Sequence, residues 1–376
     1  MKNRVLPRSA SRLGLCLIFT GFGDILPLMA RQNAPINPKT PRIAVRMPNW
    51  IGDAVMASPV IEAVKTAWPG STLILVIKRW AEELFRNDPM VDRIISLPNG
   101  VSGDPMAFLR AAGQLKKERP DVYVSLPSSF SSAFLGFLAG VPVRVGRPAD
   151  LRGPLLTVKV PARPKTMHRT DHYLEHIRLI PLERGAKNFQ NLKLRICPSK
   201  KFTPRLREIA RKYGLTKGYV GVNPNAVAES RRWPAERWTL VLKHLASRRK
   251  KIVLFGSGKE RPYVEKINRN AGSPAVVLAG ELSLSELADM MTLCSTFVTN
   301  DSGPMHLAFA LGLRVIGMIG AADEIETGPY NPRGSISIIN KHVPCSPCVR
   351  NKCPNRGKDL IVCLTSISAG EIIKRL

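Results

Sequence analysis

A single carboxylate, that of Asp53, lies where a strand-like sequence pattern ends and a helical one begins. The stretch RMPNWIGDAVMASP runs from an apolar, strand-like segment into Pro, Asn, Trp and Gly, and residues with helical spacing follow Asp53 at once. A carboxylate at a helix start often caps backbone N–H groups. A carboxylate in a closing cleft can instead act as a general base, because desolvation raises its pKa toward the working pH. The residues alone leave both interpretations of Asp53 open.

The stretch FVTNDSGPMHLAFALG, residues 297–312, contains a second candidate site. Its turn of Asp301, Ser302 and Gly303 joins a predicted strand to a predicted helix. The first N–H groups of a helix are unpaired and carry partial positive charge, which suits a phosphate. The glycine would let the backbone come close, and the serine would add a hydroxyl. The alternative is that Asp301 or Ser302 merely caps the helix.

Two adjacent arginines, Arg231 and Arg232, follow another predicted strand in NPNAVAESRRWPAERW. Guanidinium groups bind phosphate oxygens in bidentate fashion, so the pair suits a diphosphate. A solvated basic loop is the alternative. Because this loop and the turn at 301–303 both leave strand carboxyl ends of one predicted domain, the sequence favours a phosphate site there.

Four of the seven cysteines, namely Cys345, Cys348, Cys353 and Cys363, are close together in the sequence. The first pair has the spacing of a zinc knuckle, whereas the second pair is too widely separated for the usual zinc ribbon. A structural zinc, a set of disulfides and plain thiols are all open. Since no activating base stands beside these cysteines in the sequence, we expect no catalytic role for them.

The elements that would position these residues alternate along the chain between strand-like and helix-like patterns. The predicted strands are 42–47, 72–77, 93–97, 121–126 and 141–146, and then 219–224, 251–256, 275–280, 296–300, 314–320 and 335–340. A Pro- and Lys-rich zone with one predicted helix, 171–180, separates the two series. The alternation predicts an α/β fold of parallel βαβ units in two domains, 41–197 and 198–376. Two such domains would hold a ligand cleft outside the carboxyl ends of their strands.

Residues 1–40 form a separate N-terminal extension. Three arginines precede an apolar segment that is interrupted by Asp24 and Pro27. The segment lacks the roughly 20 clean apolar residues of a spanning helix and a good signal cleavage site. We interpret it as a weak membrane-associating segment or as the product of a start codon placed too far upstream.

Composition limits the class of partner. The chain has 376 residues with 57 basic and 28 acidic side chains, a net charge of +29. Such a charge predicts an anionic partner, which could be nucleic acid, a phosphorylated substrate or an anionic membrane. Aromatic residues make up only 6% of the chain and do not interleave with arginines, which argues against nucleic acid.

Several motifs together resemble the bacterial lipopolysaccharide heptosyltransferases of glycosyltransferase family 9. They are PNWIGDAVMASP, LPSSFSSAFLGFLAGVPVRVG, RRWPAERW, LFGSGKE, VTNDSGPMHLAFALG and CSPCVRNKCP, and the resemblance spans about 41–376. It implies the GT-B fold, two Rossmann-like domains with parallel sheets facing across a cleft. It also implies transfer of L-glycero-D-manno-heptose from ADP-heptose with inversion and without a required metal or other cofactor. The implied acceptor is the phosphorylated Kdo-lipid A core, and the implied location is the cytoplasmic face of the inner membrane.

The resemblance also suggests roles for single residues. Asp53 matches the catalytic base of a Trp-x-Gly-Asp motif, where it would deprotonate the acceptor hydroxyl. The implied donor-binding residues are Arg231, Arg232, Asp301, Ser302, Gly303 and His306, and the implied acceptor-binding residues are Trp50, Ser128 and Ser129. Two positions depart from the family pattern: Arg231 stands where Lys is usual, and Ser128 where Asn is common.

The basic charge fits this interpretation, because an anionic acceptor and membrane would attract a basic first domain. The candidate docking residues are Lys78, Arg79, Arg144 and Arg147. One alternative is a related family 9 transferase that acts on another core position or on a protein acceptor. A second, of another class, is a non-catalytic nucleotide or nucleic-acid binder.

Overall fold

The computed structural model describes residues 37–183, 189, 191–199 and 201–376. Most of the predicted N-terminal extension lies outside these residues, so both hypotheses about it stay predictions. Residues Pro38–Leu376 form one compact unit, and the boundary at 197/198 likewise stays a prediction. None of the helices in the described ranges is long and apolar enough to cross a membrane.

The first sheet has six parallel strands in the order β3-β2-β1-β4-β5-β6. They are β1 (Arg42–Arg46), β2 (Thr72–Lys78), β3 (Arg93–Leu97), β4 (Val122–Ser125), β5 (Val143–Gly146) and β6 (Val158–Lys159). Arg46, the last residue of β1, lies opposite Val76 on one side and Ser125 on the other. The carboxyl ends of the three central strands therefore meet at one edge, where the loops that follow them converge.

The second sheet repeats this arrangement with the order β12-β11-β10-β7-β8-β9. Its strands are β7 (Tyr219–Asn223), β8 (Ile252–Leu254), β9 (Val276–Val277), β10 (Cys294–Asn300), β11 (Val315–Ile319) and β12 (Ile336–Asn340). Counted from its own first strand, each sheet has the doubly wound order 3-2-1-4-5-6, which leaves a crevice beside the first strand. Every predicted strand is present, and most differ by no more than two residues at either end. Strand β9 keeps only two of the six residues predicted at 275–280, and the two-residue β6 was not predicted.

The helices that matter for the site follow the predicted pattern with one correction. They are α1 (Ile51–Met56), α2 (Pro59–Ala67), α3 (Arg79–Glu82), α4 (Pro105–Lys117), α5 (Phe130–Leu138), α6 (Arg169–Arg178), α7 (Pro204–Lys212), α8 (Ala235–Ser247), α9 (Arg261–Asn270), α10 (Leu284–Met291), α11 (Gly303–Ala310), α12 (Glu324–Thr327), α13 (Val362–Thr365) and α14 (Ala369–Ile373). The residues with helical spacing around and after Asp53 form two helices and not a continuous one, because Pro59 has no N–H to continue α1 and instead begins α2. A capping box of Ser283 and Glu286 opens α10.

Two tryptophans fix the loop that carries the adjacent arginines. Trp233 and Trp238 are fully buried and pack edge to face with ring centroids 5.1 Å apart. The indole N–H of Trp233 donates to the carbonyl of Ile367 at 3.0 Å, and its backbone N–H donates to Oδ1 of Asn300 at 3.2 Å. This second bond ties the loop to the end of β10, so Arg231 is held beside the turn that starts α11.

Candidate active site

The start of α1, which follows β1 of the first sheet, packs directly against the start of α11, which follows β10 of the second sheet. A Cβ atom added to Gly303 at the start of α11 would lie 2.9 Å from the Cβ atom of Ile51 in α1. One added to Gly52 would lie 2.9 Å from Cδ2 of His306. Glycine is therefore needed at both points for the helices to approach this closely. The crossing brings Asp53 near the turn of residues 301–303, as the sequence predicts for the two sides of a cleft.

Asp53 does not cap its helix. The N-cap of α1 is Trp50, which forms no side-chain capping bond. The Oδ1 atom of Asp53 accepts a short hydrogen bond from Nη1 of Arg169 instead. The capping alternative is thus wrong, and the carboxylate belongs to an ion pair in which its side chain is 18% exposed.

Arg169, at the start of α6, binds two carboxylates at once. One is Asp53 in α1, beside the first sheet, and the other is Glu326 in α12, beside the second. The Nη2 and Nε atoms of Arg169 donate to Oε1 of Glu326, the latter at 3.2 Å, and Nη2 of Arg163 lies 3.0 Å from Oε2 of the same glutamate. Burial opposes the charge on Arg169, but the attraction of Asp53 and the bonds to both carboxylates outweigh it and raise its pKa. Burial also raises the pKa of Glu326, yet Arg169 and Arg163 together bring it below its ordinary value. Both shifts favour the charged forms of Arg169 and Glu326.

Two further hydrogen bonds of α6 connect it to α1 and to the segment after α12. The hydroxyl of Thr170 donates to the carbonyl of Met56 in α1 at 2.9 Å. The hydroxyl of Tyr330, beyond α12, donates to Oδ1 of Asp171 at 2.6 Å. The start of α6 therefore connects the elements beside the first sheet to those beside the second sheet. No pattern in the sequence identifies Arg169 or its role, because its partners lie 116 and 157 residues away.

The start of α11 carries no side-chain cap. Ser302 occupies the N-cap position without a side-chain capping bond. Its hydroxyl instead accepts from Nδ2 of Asn223 at 3.0 Å and donates to the carbonyl of Asn300 at 3.2 Å. The alternative that Ser302 merely caps the helix is wrong. An uncapped helix start is what a phosphate-binding turn requires.

Asp301 is 2% exposed and faces Arg231, whose Nη1 atom lies 3.0 Å from Oδ2. Within the described chain, neither carboxylate oxygen of Asp301 nor Nε of Arg231 has a hydrogen-bond partner of good geometry. Asp301 therefore caps nothing either. Burial raises the pKa of Asp301, and Arg231 and Arg169 only partly oppose this. Arg232 is more exposed and donates from Nε to the carbonyl of Ala226 at 2.7 Å, so the two adjacent guanidiniums are held differently.

His306 lies one turn into α11 and is buried against Gly52. Burial lowers its pKa to about 3, and the positive charges of Arg169 and Arg231 lower it further. The ring is neutral near pH 7. Any contribution of His306 to a donor site is therefore a neutral contact and not a positive charge.

The predicted acceptor residues lie on the side of the first sheet. Trp50 and Ser128 are exposed, and Ser129 is the N-cap of α5. Arg152 holds the loop that carries Ser128 and Ser129. It is completely buried and donates from Nη1 to the carbonyls of Pro127 at 2.6 Å and Ser129 at 3.2 Å. Burial lowers the pKa of Arg152 to about 10. Sequence reasoning missed this arginine, since nothing in PADLRGP marks it as buried.

The four clustered cysteines line one small cavity and are all free thiols. The backbone N–H of Ile361 donates to Sγ of Cys353 at 3.3 Å. Burial raises the pKa of Cys363, and its neighbours Cys345, Cys348 and Cys353 add to this. The structure forms no disulfide among the four. Across the described ranges, no group of three or more His, Cys, Asp or Glu side chains is arranged to hold a metal ion. The thiol positions thus give no support to a structural zinc, which stays a prediction.

Two doubly wound parallel sheets, with α1 beside one packed against α11 beside the other, have the architecture of the GT-B fold. Residues 108–358 match the sequence profile of glycosyltransferase family 9 (heptosyltransferase). The chain belongs to this family, which confirms the resemblance inferred from the motifs.

Two similar proteins with known names are heptosyltransferases. The lipooligosaccharide heptosyltransferase 2 of Haemophilus influenzae is 26% identical over 301 residues, covering 77% of this chain and 86% of its own. The lipopolysaccharide heptosyltransferase 2 of Escherichia coli K12 is 26% identical over 312 residues, covering 78% and 87%.

Solved structures share the fold. The family 9 glycosyl transferase of Veillonella parvula superimposes with a TM-score of 0.76 at 23% identity, over 89% of this chain and 95% of its own. The Escherichia coli ADP-heptose lps heptosyltransferase II does so with a TM-score of 0.70 at 22% identity, over 89% and 96%. The predicted GT-B fold is confirmed.

Proposed function

We propose that this chain transfers heptose from ADP-heptose to the first heptose of the Kdo-lipid A inner core of lipopolysaccharide. Family membership supports heptosyl transfer, and the names of the relatives, heptosyltransferase 2, support the second heptose of the core. The observation that carries the proposal is the direct crossing of α1 and α11. It sets a carboxylate, Asp53, beside an uncapped helix start.

In the proposed reaction, Asp53 accepts the proton of the acceptor hydroxyl while that oxygen attacks the anomeric carbon of the donor. The bond from this carbon to the diphosphate oxygen breaks with its electron pair, so ADP departs and the anomeric configuration inverts. Positive groups placed where negative charge grows stabilise such a transition state. Here these would be the first N–H groups of α11 and the guanidinium of Arg231.

Arg169 supports the role of Asp53 in two ways. Its ion pair fixes the orientation of the carboxylate. It also occupies Oδ1, and among the residues that the structure describes Oδ2 has no hydrogen-bonding partner. We infer that Oδ2 is the atom that takes the proton.

The proposal places the enzyme at the cytoplasmic face of the inner membrane, where a lipid-linked, phosphorylated acceptor would be presented. The net charge of +29 supports docking on an anionic surface. Because Arg231 and the helix start would offset the charge of the leaving diphosphate, we propose that turnover requires no bound metal.

The test is transfer of heptose from ADP-heptose onto purified core acceptors that end in no heptose, one heptose or two. We expect a mass increase of one heptose only with the one-heptose acceptor, measured by mass spectrometry with and without a chelator. Transfer to another acceptor would favour the related family 9 transferase. ADP binding without transfer to any of the three would favour a non-catalytic nucleotide binder.

A further inference from the structure

Helix α5 carries a row of phenylalanines on its outer face. Phe130, Phe134 and Phe137 follow one another at intervals of four and three residues, which places them on one side of a helix. Their rings stack in sequence, with centroids 5.6 Å apart for the first pair and 6.2 Å for the second. None of the three side chains is fully buried.

The neighbouring helix α4 widens this row into a surface. The ring of Phe108 stacks on Phe134 with centroids 5.8 Å apart. Met106, Leu109 and Phe130 are 61%, 51% and 46% exposed. We call the set the aromatic surface, and it consists of Met106, Phe108, Leu109, Phe130, Phe134 and Phe137. Contiguous exposed apolar side chains of this kind mark interaction sites in soluble proteins.

Positive charge accompanies the aromatic surface. Helix α4 carries Arg110, Lys116 and Lys117 and no acidic residue, and α5 carries no charged residue at all. The guanidinium of Arg144 lies 5.6 Å from the ring centroid of Phe137. The apolar side chains are therefore accompanied by cations that belong to the same two helices or touch their rings.

The acidic residues at the two ends of α4 are already engaged. Asp104 caps the helix and accepts from the backbone N–H of Ala107 at 3.0 Å. Glu118 pairs with Arg42 at 2.9 Å. Neither offsets the cations of α4 by pairing with them.

We propose that the aromatic surface inserts into the headgroup boundary of an anionic phospholipid bilayer. Aromatic and aliphatic side chains accompanied by lysine and arginine are typical of surfaces that lie in a membrane interface, where the apolar groups enter the acyl boundary and the cations meet anionic lipids. A protein partner of this surface would have to be both apolar and acidic, whereas a bilayer of anionic lipid supplies both properties in one plane.

The position of the surface fits a lipid-linked acceptor. Phe130 directly follows Ser128 and Ser129, the predicted acceptor residues. Insertion at α5 would hold the acceptor loop at the headgroup level, where the sugars of such an acceptor begin. This link to the acceptor rests on the proposed function, whereas the insertion itself does not.

The test compares full-length variants in co-sedimentation with vesicles of phosphatidylcholine alone or of phosphatidylcholine with phosphatidylglycerol. The variant Met106→Ser, Leu109→Ser and Phe130→Ser removes the three most exposed side chains of the surface without touching the core. Losing three half-buried apolar anchors should weaken partition into the anionic vesicles on the order of 100-fold.

A matched control carries Leu240→Ser, Val349→Ser and Leu360→Ser, which alters three side chains of similar exposure, 53%, 55% and 48%, outside the first sheet. We expect the control to bind anionic vesicles like the wild type. Equal binding by both triple variants, equal losses in both, or no vesicle binding by the wild type would overturn the proposal. Self-association that is lost only in the first triple variant, without vesicle binding, would assign the surface to a second copy of the chain.

Transfer to a lipid-free core oligosaccharide separates this inference from the proposed function. If the inference is right, the first triple variant keeps its rate with that water-soluble acceptor and loses rate only with vesicle-embedded acceptor. Vesicle binding by the wild type with no transfer to any acceptor would refute the proposed function and leave the membrane surface standing. Circular dichroism of each variant confirms that it is folded.

Discussion

Replacing Asp53 by asparagine tests the proposed base, because the variant keeps the shape of the side chain and removes its ability to accept a proton. General-base catalysis contributes about 10²–10⁴-fold to a rate. We therefore expect kcat to fall by about that factor, which corresponds to roughly 3–5 kcal/mol of barrier height. The affinity for ADP should change little, since the hydrogen bond of Asp53 comes from Arg169 and not from a predicted donor residue.

The structure also supplies a control for the second role of Asp53, its ion pair. Glu326 binds the same guanidinium of Arg169 and is buried to nearly the same degree, with side-chain exposures of 16% and 18%. Glu326→Gln therefore removes the other carboxylate partner of Arg169, together with the pair that Glu326 forms with Arg163, and leaves the proposed proton acceptor in place. Each variant should lose about 1–2 kcal/mol of stability, the value of a charged hydrogen bond reduced by partial solvent screening.

The assay is the initial rate of heptose transfer at saturating donor and acceptor, with thermal unfolding measured in parallel. We expect Glu326→Gln to unfold at the temperature of Asp53→Asn or below it, since Glu326 also pairs with Arg163, and to lose less than tenfold in kcat. If Asp53 acted only by holding Arg169, the two variants would lose equal activity. Equal losses, or an Asp53→Asn rate within tenfold of the wild type, would refute the general-base assignment.

Three further perturbations follow from the site. Arg231→Ala should weaken ADP binding about 10- to 100-fold, the value of one charge-assisted hydrogen bond, and should lower the unfolding temperature because Asp301 loses the cation beside it; unchanged affinity in calorimetry would remove the arginine from the donor site. Gly52→Ala places a methyl group 2.9 Å from the ring of His306 and should cost about 1–3 kcal/mol of stability; wild-type unfolding and turnover would contradict the close crossing. The folded-state pKa of Glu326 lies below its ordinary value, so its stabilising effect is complete above an unfolded-state pKa of about 4.3 and is lost as the pH falls through the folded-state value. The stability difference between the wild type and Glu326→Gln in urea should accordingly shrink on acidification below that pH, and a difference that stays constant would contradict the pairing.

Much of the fold was predictable because local signals and burial agree. Strands such as β2 are continuous apolar runs, as expected for parallel sheets covered on both faces. The capping box before α10 acts within a few residues of the helix that it begins, and Pro59 gives an equally local signal for the start of α2, although that boundary was not predicted. The turn of residues 301–303 was likewise recognisable, since a strand, a glycine and a helix follow one another directly.

The part of the site that the sequence could not reveal depends on distant contacts. Arg169 lies in a zone that has lost the strand rhythm, and only the packing of α6 brings it to Asp53 and Glu326. The same holds for Arg152, whose partners are backbone carbonyls that look alike in any sequence. Long-range ion pairs of this kind follow from the fold and have no spacing of their own.

The close packing of α1 against α11 at Gly52 and Gly303 has a thermodynamic consequence. At Gly52 and Gly303 no side chain separates the helix that bears the proposed base from the helix that would hold the diphosphate. A ligand that shifts one helix start must therefore shift the other, so the affinities for donor and acceptor become linked quantities. Linkage is reciprocal, and whichever substrate arrives first must change the binding free energy of the second by the same amount as in the reverse order.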